Sequence, residues 1–215
     1  MKKMLCGVLI ALCAFSMIGL TACGGEQTEG GGDSQSEGYV LEAEYVSLEG
    51  LISDTYSGSI GDVNLVYGEG TDAEKALGWS NGYYVGPTYD AGFTLNFVFT
   101  SDQDASAAIT LRLGSDLGAI ALNAANFSVK LNGTAINFGT LSVPKSDGGM
   151  AAIAFKDFQI VSNAQLKSGE NTLSLTVLEN LLWGGNKQGG PMVDCVKIKT
   201  TANIEYEEID NPANR

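Results

Sequence analysis

The 215-residue sequence contains no histidine, and it has only four cysteines, four prolines and two tryptophans. Without histidine there is no Ser-His-Asp or Cys-His catalysis and no His-ligated zinc. Basic residues are also scarce: 12 Lys and Arg stand against 25 Asp and Glu, a formal net charge of −13. Phosphate backbones are bound by clustered Lys and Arg, so this balance excludes a nucleic-acid binder. The chain lacks a 3.6-residue apolar stripe longer than about two turns, and it lacks a repeat of fixed period. The lack of a repeat argues against a propeller and a solenoid.

What is present begins with residues 1–22, MKKMLCGVLIALCAFSMIGLTA. A short basic start, an apolar run and small residues are the layout of a secretory signal. Leu20, Thr21, Ala22 and Cys23 resemble the bacterial lipobox, which implies cleavage before Cys23 and a lipid on its sulfur. The expected protein is exported and anchored to a bacterial membrane through that lipid, rather than spanning the membrane. Removing residues 1–22, with Lys2 and Lys3 but no acid, leaves 193 residues at net −15. That length suits one domain and argues against a two-lobed solute receptor. Cys6 and Cys13 leave with the signal, and a lipidated Cys23 leaves Cys195 with no disulfide partner. Residues 23–38 are Gly-, Ser- and acid-rich and read as a flexible tether. Residues 204–215 read as an acidic tail.

Between residues 39 and 203 the dominant period is two. Phe93, Leu95, Phe97 and Phe99 share one face, as do Ile109, Leu111 and Leu113, and Leu173, Leu175 and Val177. Phe127, Val129 and Leu131 alternate up to Asn132-Gly133, after which Ile136 and Phe138 alternate, and Asn-Gly between two such runs marks a hairpin. The apolar parity switches between Ile153 and Ile160, which predicts a bulge near Lys156 and Asp157. Residues 71–77 suit a short helical turn with Asp72 near its start. The expectation is an all-β fold, a β-sandwich or closed barrel of about nine or ten antiparallel strands.

Three clusters carry candidate chemistry. Glu42 and Glu44 fall in a first strand expected over 39–47, where alternation puts both carboxylates on one face, about 6.5–7 Å apart. Asp194 opens a late strand after a Gly-rich loop that carries Trp183, Asn186, Lys187 and Gln188. Residues 78–90 are dense in aromatics, with Trp79 and Tyr84 suited to the core. Tyr83, of opposite parity to Tyr84, is expected to face out. If the first and last strands are neighbours, Glu42, Glu44 and Asp194 form a hard oxygen site that suits calcium, the alternative being a solvated acidic face. Cys195 is expected to be a small packing residue.

Glu42-Ala43-Glu44, Gly82-Tyr83-Tyr84-Val85-Gly86, Gly169-Glu170-Asn171-Thr172-Leu173 and Gly189-Gly190-Pro191-Met192-Val193-Asp194, in that order, resemble family 6 and family 35 carbohydrate-binding modules. The resemblance implies a jelly-roll β-sandwich of the galactose-binding-like type and a structural calcium held by Glu42, Glu44 and Asp194. It implies a sugar site in loops at one end, here residues 78–84 and 182–188. A pyranose presents C–H groups to an aromatic ring and hydroxyls to amides. Trp183, Asn186, Tyr83 and Gln188 are therefore the candidate ligand residues, and the expected partner is a polysaccharide or oligosaccharide. The chain departs from the pattern at Met192, where many members have Asn. Non-catalytic binding is the leading expectation. A structural or protein-binding lipoprotein and a jelly-roll glycosidase are the competing ones, the last disfavoured because Glu42 and Glu44 point the same way from one strand.

Overall fold

The computed structural model describes residues 38–46, 66–86, 88, 91–116, 118–179 and 191–206. Cys23, Trp183, Asn186 and Gln188 lie outside the described residues. The elements are β1 (Tyr39–Glu42), β2 (Val66–Tyr67), α1 (Asp72–Ala76), β3 (Tyr84–Val85), β4 (Thr94–Ser101), β5 (Ala105–Gly114), β6 (Ile120–Leu122) and β7 (Phe127–Leu131). They continue as β8 (Thr134–Ala135), β9 (Leu141–Val143), β10 (Lys156–Leu166), β11 (Gly169–Val177), β12 (Met192–Thr200) and β13 (Ile204–Tyr206). Among the described residues there are thirteen strands against the expected nine or ten, because several are two- or three-residue pairings too short to show a period.

One sheet has the order β10-β5-β12-β3-β2, with β1 also paired to β12. The other has the order β13-β4-β11-β7-β8. All the pairings are antiparallel. Successive strands β4 and β5, and then β10, β11, β12 and β13, alternate between the two sheets. That crossing back and forth is a jelly-roll β-sandwich. The inward residues are those of the period-two pattern. Ile109, Leu111, Leu113, Val196 and Ile198 from one sheet meet Leu95, Phe97, Phe99, Leu173 and Leu175 from the other in one core. Each such side chain, fully buried, stabilises the fold by roughly 1.5–3 kcal/mol. At the Asn-Gly turn, Asn132 (φ 52°) and Gly133 (φ 78°) both take left-handed conformations, which suits the twist of the hairpin β7-β8. Thr71 caps α1 reciprocally with Glu74.

Three further expectations need correction. The first strand stops at Glu42, and Ala43–Tyr45 turn into a 3-10 helix, so Glu44 is not the strand neighbour of Glu42. The bulges of β10 lie between Gln159 and Val161 and between Val161 and Ala164, not at Lys156. Ile153 belongs to a separate small cluster, which is why the parity appeared to switch earlier. The acidic tail begins later than expected: Ile204 is buried and Tyr206 stacks on Phe97, so residues 204–206 pair with β4.

A carboxylate turn as the candidate functional site

A bulge in β12 builds the site. Val193 pairs with Leu113 and Cys195 pairs with Arg112, which leaves Asp194 as the extra residue. Val193 and Val196 both face the core, while Asp194 is re-aimed toward Arg112, the re-orientation that bulges provide. Arg112 Nε meets Asp194 Oδ2 at 2.8 Å, and Arg112 Nη2 donates to the Gly78 carbonyl at 2.7 Å. The second oxygen of Asp194 accepts the Ser80 N–H at 2.9 Å.

Ser80 opens the turn that draws the sequence-remote acids together. Its hydroxyl donates to Glu42 Oε1 at 2.7 Å. Next to it, Asn81 Nδ2 donates to Glu44 Oε1 at 3.3 Å and to the Tyr45 hydroxyl at 2.8 Å. Asn81 sits at φ 53°, a left-handed conformation that Asn tolerates better than most residues. Glu42, Glu44 and Asp194 therefore surround one short turn, Ser80–Gly82, as the adjacency of first and last strands predicts.

The electrostatics of the three acids are alike. Burial pushes Glu42 up to about 7, opposed by the Ser80 hydrogen bond and reinforced by Asp194. Burial, with Glu42 alongside, pushes Glu44 up to about 8. Burial also pushes Asp194 up to about 7, although the Ser80 N–H and Arg112 pull it the other way. One oxygen of each glutamate, Glu42 Oε2 and Glu44 Oε2, is buried and makes no hydrogen bond. A buried carboxylate oxygen without a partner is costly, and a hard cation or a proton relieves it. The donor set is all oxygen, which fits calcium. Among the described residues, however, no three Asp, Glu, His or Cys side chains are grouped so that they could hold a metal ion, and both oxygens of Asp194 are engaged by Arg112 and Ser80.

The aromatics divide differently from expectation. Tyr83 does not face out: it is buried at 8 % exposure in the main core, its ring over Gly70. Tyr84 is also buried, because the opposite face of β3 is covered by a second cluster of Trp79, Tyr84, Ile153 and Met192. Trp79 meets Tyr84 edge-on at 4.8 Å, and Tyr67 stacks on Tyr84 at 5.2 Å. The polar ends of these rings are satisfied inside, Trp79 Nε1 by the Ile153 carbonyl and the Tyr84 hydroxyl by the Met150 carbonyl. Met192, at the position where many members of the resembled families carry Asn, is fully buried in this cluster. Cys195 is buried as a packing residue, as expected, and burial pushes its thiol up and out of reactive range. Sequence reasoning missed Ser80, Asn81 and Arg112. Only the parity break between Val193 and Val196, three residues apart yet both in the core, signalled the bulge.

The chain is similar in structure to several solved proteins. One is the Podospora anserina GH26-CBM35 β-(1,4)-mannanase, at 16 % identity and a TM-score of 0.49, covering 78 % of this chain and 28 % of that one. Another is a CBM35 from Cellvibrio japonicus Abf62, at 13 % identity and a TM-score of 0.47, covering 80 % and 98 %. A third is a CBM35 from Paenibacillus barcinonensis, at 15 % identity and a TM-score of 0.43, covering 75 % and 98 %. No family model and no curated protein matches the chain.

Proposed function

We propose that this chain is a non-catalytic glycan-binding module, exported and held at a bacterial membrane by a lipid on Cys23. The observation that carries the reading is the convergence of Glu42, Glu44 and Asp194 on the Ser80–Gly82 turn. Acids separated by some 150 residues, which carry motifs of the family 6 and 35 resemblance, meet at a turn within residues 78–84, one of the two segments assigned to the sugar. Trp183, Asn186 and Gln188 are the proposed ligand residues, with a ring for stacking and amides for hydroxyls. Tyr83 is withdrawn from that set by its burial.

Calcium is the proposed structural ion. The unpartnered Glu42 Oε2 and Glu44 Oε2 are suited to hold it, and Asp194 could contribute lone pairs not used by Arg112 and Ser80. The ion would neutralise the buried glutamates and fix the Ser80–Gly82 turn, within one of the two segments assigned to the sugar, which lowers the ordering cost of binding.

A glycan array of the full chain and of Trp183→Ala tests the reading. The native chain should bind at least one glycan, and Trp183→Ala should lose it while keeping its melting temperature. A native chain that binds nothing on the array would overturn the proposal. Turnover of any glycan would overturn the non-catalytic part.

A further inference from the structure

The short helix α1 buries none of its side chains and belongs to neither core cluster. Apolar burial therefore does not explain why it packs beside the carboxylate turn. Glu74 supplies polar contacts instead. The Glu69 N–H donates to both Glu74 oxygens, at 3.0 and 2.9 Å. The Thr71 N–H and the Thr71 hydroxyl donate to Glu74 Oε2 at 2.8 and 2.9 Å. The Glu74 carbonyl accepts the Trp79 N–H at 3.3 Å. Glu74 thus holds residues 69–71 through its side chain, and the residue before Ser80 through its backbone.

The loop gripped by that carboxylate bears directly on the far end of the turn. Between Glu69 and Thr71, the Gly70 N–H points the other way and donates to the Gly82 carbonyl at 3.3 Å. A Cβ on Gly82 would come within 2.6 Å of the Gly70 Cα, and one on Gly68 would strike the Gly82 carbonyl oxygen. The two backbones touch with no side chain between them, so a shift of the loop passes to the turn without slack. The turn needs such support: Asn81 (φ 53°) and Gly82 (φ 81°) are both left-handed, and such conformations persist where the surroundings impose them. Against the cost of its slight burial, the Thr71 and Glu69 N–H groups hold the Glu74 carboxyl below its usual range, so it remains an acceptor at neutral pH.

We propose that Glu74 is a positioning residue of the carboxylate turn: it clamps residues 68–71 against Gly82 and so fixes the segment from which Ser80 and Asn81 reach Glu42, Glu44 and Asp194. The proposal rests on the glycan-binding reading above for what the turn serves, and on separate contacts for how it is held. A Gln at this position keeps the shape and the backbone bond to Trp79. Its amide, however, brings donors of its own to face the Glu69 and Thr71 donors, and the clamp opens.

The test is amide hydrogen exchange of the full chain by NMR, paired with a glycan array. The Ser80 N–H, which donates to Asp194, reports the turn. The Leu175 N–H, in a strand paired on both sides, reports the core. Glu74→Gln should speed exchange at Ser80 at least tenfold and at Leu175 less than twofold, because local opening at the turn leaves the core strands closed. Thr71→Val, which removes one donor of the clamp, should move Ser80 in the same direction by less. Asp72→Asn, the same charge change on the same helix, should move it less than twofold. On the array, Glu74→Gln should bind at least fivefold more weakly any glycan that the native chain takes, and Asp72→Asn should bind it as the native chain does. Equal acceleration at Ser80 and Leu175 would make Glu74 a general stabiliser and overturn the proposal, as would a change under twofold at Ser80. Native-like glycan binding by Glu74→Gln also overturns it, while the glycan-binding reading stands. If the native chain binds no glycan and Ser80 still responds as expected, that reading falls and Glu74 remains the residue that positions the turn.

Discussion

Arg112 stands between two kinds of carboxylate. On one side Asp157, 42 % exposed, lies in an open groove with Lys197 as a second cation. Against the cost of partial burial, Lys197 and Arg112 together hold its carboxyl below the usual range. On the other side lies Asp194, 0 % exposed, with Glu42 and Glu44 behind it and no further cation in contact among the described residues. There burial wins, and all three acids are raised. The same residue class thus titrates in opposite directions within one sheet. The deciding quantities are the water each site excludes and the number of cations it supplies.

The sharpest way to break this contrast is Asp194→Ala, which strips a buried ion pair of one partner. The expected loss is about 3 kcal/mol of stability by denaturant titration, because Arg112 Nε and the Ser80 N–H are left without their acceptor. The counterpart on the exposed side should cost far less, as given last.

Calcium removal comes next. An ion bound only by the folded state at a hundred times its dissociation constant stabilises it by about 2.7 kcal/mol. A chelator should therefore lower the melting temperature, and magnesium should restore it poorly, because it demands a tighter shell. A melting temperature unmoved by chelator and by added calcium counts against the ion.

The third prediction sharpens the comparison through pH. For a raised carboxyl the folded state holds its proton more tightly than the unfolded chain does. Stability is therefore full below the unfolded value of 4.5 and is lost as pH rises through about 7 for Glu42 and about 8 for Glu44. The chelated protein should melt progressively lower from pH 5 to pH 8, and Glu44→Gln should flatten that decline. Asp157 works with the opposite sign, and its contribution is lost only as pH falls through its lowered value. A chelated protein whose melting temperature rises over the same range would contradict the assignment.

The smallest effect is expected at Asp157→Asn. Partly exposed pairs contribute little, so its cost should be under about 1 kcal/mol by denaturant titration. A loss comparable to that of Asp194→Ala would erase the distinction between the two sides.

The inward faces of β4, β5, β7, β11 and β12 were legible in the sequence because each buries one face, and a one-residue slip would exchange core for solvent. The Asn132-Gly133 hairpin was legible for a local reason: its backbone conformation needs those residue types. The proximity of Glu42, Glu44 and Asp194 followed from strand adjacency. What stayed hidden depended on tertiary contact. Parity put Tyr83 and Tyr84 on opposite faces, one of them outward, but both faces of β3 are covered and both rings are buried. Ser80, Asn81 and Arg112 are ordinary polar residues until the fold carries them to the acids.

The entry of the chain into the first strand has a mechanical consequence. Gly38, at φ 90°, lies so close to β12 that a Cβ there would come within 2.8 Å of the Ile198 carbonyl oxygen. Because β1 runs antiparallel to β12, this entry point sits beside Lys199, and Glu42 sits beside Cys195, roughly 13 Å away. A pull transmitted through Gly38 against a ligand held near the Ser80 turn would act along the axis of β1. Such a load shears the four residue pairs from Tyr39 to Glu42 together instead of peeling them apart one at a time. Pulling across the strands would need far less force. The direction of this first strand is the one along which its pairing with β12 resists a load applied at Gly38.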